Sequence, residues 1–166
     1  MKFHATPLEE WECLAFGSPD LPTLPKMGMN MRLKAIKSYL TAVMLYRVHG
    51  LPPVRAYVKK LRLRFSPFPF KNEEEAIRLS RRESVYLRAV WGRLALESAV
   101  CLPRSVSLCA GLLSLGFPAQ VVLGRRYVTF VNEVDFHAWV EVFRTPVNDR
   151  PKAQTWFQPI AKFPEE

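Results

Sequence analysis

The chain has 166 residues, 49% of them hydrophobic, and a formal net charge of +9 from 24 basic and 15 acidic side chains. That length suits a single domain, the apolar content excludes global disorder, and the positive balance suits an acidic partner of unspecified kind. Cysteines at 13, 101 and 109 form no CxxC pair and histidines at 4, 49 and 137 no tight ligand set, which argues against a zinc site and for a reduced, cytoplasmic chain with free thiols.

Residues 1–29 carry Pro7, Pro19, Pro22 and Pro25 and read as a mobile arm ahead of one domain at 30–166. A helix is expected over 30–48, capped by Asn30 and ended by His49-Gly50, with Leu33, Ile36, Leu40, Val43 and Met44 as its apolar stripe. Its apolar run falls short of the ~20 residues of a transmembrane segment and is broken by Lys37 and Arg47. A second helix spans 52–63, and Arg55, Lys59, Lys60, Arg62 and Arg64 form either a solvated face or a docking face for an acidic partner. Pro67 and Pro69 make 65–70 a loop. Asn72 then caps a third helix, continuing towards Ala99, whose first turn of Glu73, Glu74 and Glu75 suits the positive end of the helix dipole.

Pro103 belongs in the first turn of a fourth helix that runs to Leu115 and stops at Gly116, with Pro118 just beyond. Cys101 therefore stands at the helix mouth, where unpaired N–H groups and the dipole stabilise a thiolate. Because Pro103 disfavours helical backbone at Leu102, Cys101 is expected on the entering turn. Cys109 falls mid-helix among Leu108, Leu112 and Leu113, as a small buried hydrophobe, and Cys13 lies in the arm. From Phe117 the period becomes extended, with strands at 119–123 ending at Gly124, at 127–131 and at 136–143. Thr145-Pro146 reads as a turn, 147–149 as the start of a return strand or bend, and Trp156, Phe157, Pro159 and Ile160 as a closing segment. The fold class is α+β, a helical part at 30–116 followed by an antiparallel sheet at 117–166.

A thiolate nucleophile needs a base in hydrogen-bond reach and a third group to orient that base. His137 is the one histidine of the C-terminal half, although a lone histidine in an apolar strand is more often a satisfied core residue. Asp149 lies twelve positions on, past a turn, so an antiparallel return can set it beside the imidazole. Asn148 competes with it, because neighbours alternate faces and one of the two points at the ring. Asp135 and Glu141 share the face of His137 and are poorer orienters, since same-strand neighbours stand about 6–7 Å apart.

Five segments taken together resemble a known family. They are Cys101-Leu102-Pro103-Arg104-Ser105, Leu115-Gly116-Phe117-Pro118-Ala119, Val121-Val122-Leu123-Gly124, His137-Ala138-Trp139-Val140-Glu141-Val142 and Val147-Asn148-Asp149. In this order and spacing they are similar to the leader peptidases of lasso-peptide maturation, in the transglutaminase-like branch of the papain-like cysteine proteases. The resemblance spans about 31–160 and implies that fold, with Cys101 as nucleophile, His137 as general base and acid, and Asp149 as orienter. It implies no cofactor. The implied reaction removes the leader of a ribosomally made lasso precursor, freeing the core's N-terminal amine for a separate ATP-dependent cyclase. Some relatives carry a fused leader-recognition domain of winged-helix type. The helical first 100 residues here lack its strands, so a separate recognition protein is implied. Phe136 stands where the family has a small residue and is expected to narrow the cleft. The backbone N–H of Cys101 is the expected oxyanion donor, and no glutamine precedes it at a papain-like distance to supply a second. Two other readings stay open: an acyl transferase on the same residues, and a non-catalytic basic binding module. Nucleic acid is not expected as a ligand, because the cations spread over several elements and the aromatics fall at core spacing.

Overall fold

A computed structural model describes residues 24–64, 66–93, 101–127, 135–149 and 153–165. Among the described residues four helices come first: α1 (Met29–His49), α2 (Leu51–Leu63), α3 (Glu73–Arg93) and α4 (Cys101–Ser114). Gly50, at a φ of 76°, separates α1 from α2, whose first turn holds the prolines. Asn72 caps α3 as expected. Its Oδ1 accepts from the Glu75 N–H at 2.8 Å, and Glu75 accepts from the Lys71 N–H at 2.7 Å. The expected extension of this helix beyond Arg93, like the arm up to residue 23 and the strand beyond Tyr127, lies outside the described residues. The last residues assigned to the arm are packed: Met27 is buried, and Arg82 donates to the Pro25 carbonyl at 2.6 Å.

The buried face of α1 matches the expected stripe only in part: Val43 is buried and Ile36 and Leu40 pack partly buried against the core. Ala35, Ser38, Tyr39, Ala42 and Val43 face inward, while Leu33 and Met44 are more than half exposed. The cause is a close approach to α4. A Cβ added at Gly111 would stand 3.5 Å from the Ala35 carbonyl oxygen, and the Ser114 hydroxyl bonds that of Ser38 at 2.7 Å across the seam. Interhelical distance follows side-chain size, so Ala35 and Ser38 lie at the close contact with α4, and the larger Tyr39 and Val43 are buried on the same side of the helix.

α4 is the central element, touching α1, α2, α3, β1 and β2, and from Ser105 to Leu113 every side chain is buried. A helix enclosed on all sides must be apolar on all sides, which explains its run of Val106, Leu108, Cys109, Leu112 and Leu113. Each fully buried leucine there contributes about 1.5–3 kcal/mol. It ends at Gly116, at a φ of 86°. A Cβ there would meet Phe68 N at 2.6 Å, because the 66–70 loop crosses the helix end and the Phe68 N–H bonds the Gly116 carbonyl.

The sheet follows, as β1 (Ala119–Arg126), β2 (Phe136–Val142), β3 (Thr145–Pro146) and β4 (Phe157–Phe163), with the short α5 (Ala153–Trp156) before β4. Its order is β3-β2-β1-β4 and every pairing is antiparallel, so the chain has the α+β arrangement of helices first and antiparallel sheet second. Three details differ from expectation. β1 runs past Gly124 to Arg126, with a register shift against β4 between Leu123 and Gly124. The turn falls at Phe143-Arg144, at φ of 48° and 62°, and Thr145-Pro146 is the returning strand. Positive φ at both central residues is what a two-residue hairpin requires, and Pro146 is tolerated because β3 is an edge. The closing segment is a full edge strand paired with β1.

Candidate active site

Cys101 is a residue of α4 itself, not of a turn before it. The restriction that Pro103 places on Leu102 is a preference, and a proline in the first turn forfeits no helical hydrogen bond. The thiol is half-buried and faces His137. The hydrogen bond from His137 holds it below its ordinary pKa, against burial, and the N–H groups of Ala138 and of Cys101 itself act in the same direction. Cys109 is the opposite case. It is fully buried, its Sγ lies 3.5 Å from the Ala119 carbonyl oxygen, and burial pushes its thiol far above the ordinary range.

β2 delivers His137 as its second residue, with the ring beside those of Trp139 and Phe157, centroids 6.1 and 5.0 Å away, the three rings clustering as a triangle. Gly124 lies opposite His137 in register. A Cβ there would stand 2.7 Å from the Trp139 ring and 2.8 Å from Phe157 Cβ, so the aromatic pair beside the imidazole depends on a residue without a side chain. Trp139 is held in turn by its Nε1–H, which donates to Glu141 Oε1 at 2.9 Å. Phe136 alternates to the other face of β2 and is 55% exposed, so it does not crowd the face that carries His137.

Asp149 reaches His137: its Oδ2 pairs with Nε2, which leaves Nδ1 for the thiol. The bond to Asp149 first, then the bond to Cys101, raises the imidazole to about 9 in spite of burial. At neutral pH the ring is therefore protonated, beside a thiol that it holds below the ordinary range. The other acids and amides are engaged elsewhere. Asp135 pairs with Arg126 at 3.2 Å. Glu141, buried, accepts from Trp139, from Gln154 at 2.7 Å and from Lys162 at 2.9 Å. Asn148 turns inward, its Oδ1 accepting from the Val140 N–H at 2.7 Å.

Two arginines near this site were not singled out by the sequence. Arg88 on α3 has its pKa lowered by burial and by Arg104, and raised by Tyr39 and Asp149, which places its guanidinium in the field of the aspartate and of a second arginine. Arg88 sits one turn after Ser84, on the side of α3 that also buries Leu87, and that periodicity is the signal that marks it as more than a solvated cation. Among the described residues no three histidine, cysteine or acidic side chains converge as a metal site, and no helix is long and apolar enough to cross a membrane.

A thiol, an imidazole and a carboxylate brought together this way are suited to acyl transfer through a thioester. A sequence model described as the transglutaminase-like superfamily matches residues 53–162, a span that contains Cys101, His137 and Asp149. No curated protein and no solved structure matches the chain. Members of that superfamily are typically cysteine-dependent enzymes, peptidases or acyl transferases in kind. With the match covering well over half of its length, the chain belongs to the transglutaminase-like superfamily.

Proposed function

We propose that this protein is a cysteine peptidase that removes the leader from a ribosomally synthesised lasso-peptide precursor. The observation that carries the catalytic reading is the alignment of Cys101, His137 and Asp149, with an imidazole held protonated beside a thiol held below its ordinary pKa. The choice of substrate rests on the sequence resemblance described above.

In this reading Cys101 Sγ attacks the carbonyl carbon of the leader–core junction, and the oxyanion is met by the Cys101 N–H at the helix start. Collapse breaks the C–N bond as the His137 imidazolium gives its proton to the departing amine, leaving the leader as a thioester on Cys101. The neutral imidazole then takes a proton from water, whose oxygen attacks the thioester. The leader leaves as its carboxylic acid, and the thiolate–imidazolium pair is restored. Asp149 holds the ring through Nε2 and stabilises its positive charge throughout.

Leader recognition would come from a separate winged-helix protein, as the sequence resemblance implies. The released amine would pass to an ATP-dependent cyclase for macrolactam closure. The test is mass spectrometry of a candidate lasso precursor incubated with the protein and that recognition partner. Cleavage is expected with the wild type and with Cys109→Ala, and none with Cys101→Ala. Undiminished cleavage by Cys101→Ala overturns the assignment.

A further inference from the structure

One buried hydroxyl touches all three segments that carry the proposed catalytic residues. Ser105 lies one turn after Cys101 in α4 and is 1% exposed. Its Oγ donates to the Ala138 carbonyl, next to His137, at 2.9 Å. It also accepts from Asn148 Nδ2, next to Asp149, at 3.3 Å. The Asn148 amide uses its other end on β2, where its Oδ1 takes the Val140 N–H at 2.7 Å.

The placement of Asn148 has a further effect. β3 pairs with β2 at Glu141↔Pro146 and Val142↔Thr145, and continuing that register would set Asp149 opposite Ala138, one residue short of His137. The ladder does not continue. The Val147 N–H still bonds the Val140 carbonyl at 2.9 Å, but the Val140 N–H takes the Asn148 side chain. The chain bends over 147–149, and Asp149 swings to the imidazole. Asn148 thus replaces a main-chain partner, so the strand can depart without leaving a buried N–H unpaired.

We propose that Ser105 and Asn148 are positioning residues, a buried hydroxyl–amide brace that holds Cys101, His137 and Asp149 in mutual register. This rests on the reading of those three as the catalytic residues. Small displacements of reacting groups are costly in such sites, and side chains locked by buried partners limit them. Another buried serine hydroxyl with a short bond, Ser84, donates to the Ser80 carbonyl at 2.7 Å within α3 itself. It serves as the control for a bond that is only structural.

The experiment measures the rate at which iodoacetamide alkylates Cys101, across pH, by peptide mass spectrometry. It compares the wild type, Ser105→Ala, Asn148→Ala, the double variant and Ser84→Ala, with thermal unfolding of each. Because alkylation reads the thiolate–imidazolium pair directly, no peptide substrate is needed. Ser105→Ala and Asn148→Ala should each raise the pH midpoint and slow alkylation near pH 6.5 about tenfold, the factor that one pKa unit represents. The double variant should add little, as expected of two parts of one brace. Ser84→Ala should lose stability and keep the wild-type profile. If Ser105→Ala does not fold, Asn148→Ala decides. Wild-type profiles in the brace variants, with stability lost as in Ser84→Ala, overturn the brace. A wild-type Cys101 no more reactive than a cysteine in a short peptide overturns the catalytic reading itself, and the brace with it.

Discussion

Replacing Asp149 by Asn removes a charge while keeping a side-chain oxygen that can accept from Nε2–H of the neutral ring. It therefore separates the electrostatic part of the His137–Asp149 pair from the geometric part. The bond to Asp149 is the largest of the causes that lift His137 from 6.5 to about 9. A group at about 9 is ~99% protonated at pH 7, and a full return to the ordinary value would leave about a quarter protonated. The Cys101 thiolate owes its low pKa first to that ring. Each unit by which its pKa climbs cuts the thiolate fraction below the midpoint about tenfold. The assay is the second-order rate of Cys101 alkylation between about pH 5 and 10, with Cys109 as the internal buried reference. Asp149→Asn should shift the midpoint upward by about one unit or more and depress the rate near neutrality at least tenfold. Asp149→Ala, which loses the oxygen as well, should do no better. Superimposable profiles for wild type and Asp149→Asn would refute the reasoning and return His137 to the status of a packed strand histidine.

Three further outcomes follow from the packing and the charges. Gly124→Ala should cost about 1–3 kcal/mol by overpacking, read from the denaturant midpoint, and should slow Cys101 alkylation because Trp139 and Phe157 must shift beside His137; an alanine variant of wild-type stability and reactivity would contradict this. Ser107→Ala should stabilise by about 1 kcal/mol, since the Ser107 hydroxyl is buried in α4 without a hydrogen-bond partner among the described residues and alanine is the better helix former. Stability should also follow the titration of His137: its folded pKa is raised, so its contribution is complete below about 6.5 and is lost as pH rises through about 9. The melting temperature of the wild type should fall across that window more steeply than that of Asp149→Asn, and equal slopes would count against the pair.

Much of the architecture can be read from residue order. The Asn72 cap with its three glutamates, the apolar α4 closed by Gly116 and Pro118, and the aromatic, branched β2 each carry a local signal that tertiary packing leaves intact. The spacing of Cys101, His137 and Asp149 was legible for the same reason, because a helix start, a strand and a hairpin return place them with little freedom. What was not legible depends on partners distant in sequence. The buried face of α1 is turned from the expected stripe, exposing Leu33 and Met44 and burying Ala35, Tyr39 and Ala42, because Gly111 of α4 admits a close approach. The hairpin turn at Phe143-Arg144 lacks the glycine or asparagine that marks such turns. β4 reads as irregular because it is an edge strand with a proline and mostly exposed side chains. The choice between Asn148 and Asp149 is made by the Val140 N–H and Ser105, neither of which is visible from the spacing of the acids.

The central claim is that the site hydrolyses a peptide bond at a leader–core junction through Cys101. The most direct measurement is the mass balance of a lasso precursor after incubation with the protein and its leader-recognition partner. The account predicts two fragments whose masses add to the precursor plus one water, the core fragment with a free amine, and no such products with Cys101→Ala. An intact precursor under these conditions, or a product that has lost ammonia and gained an amide cross-link, would contradict it.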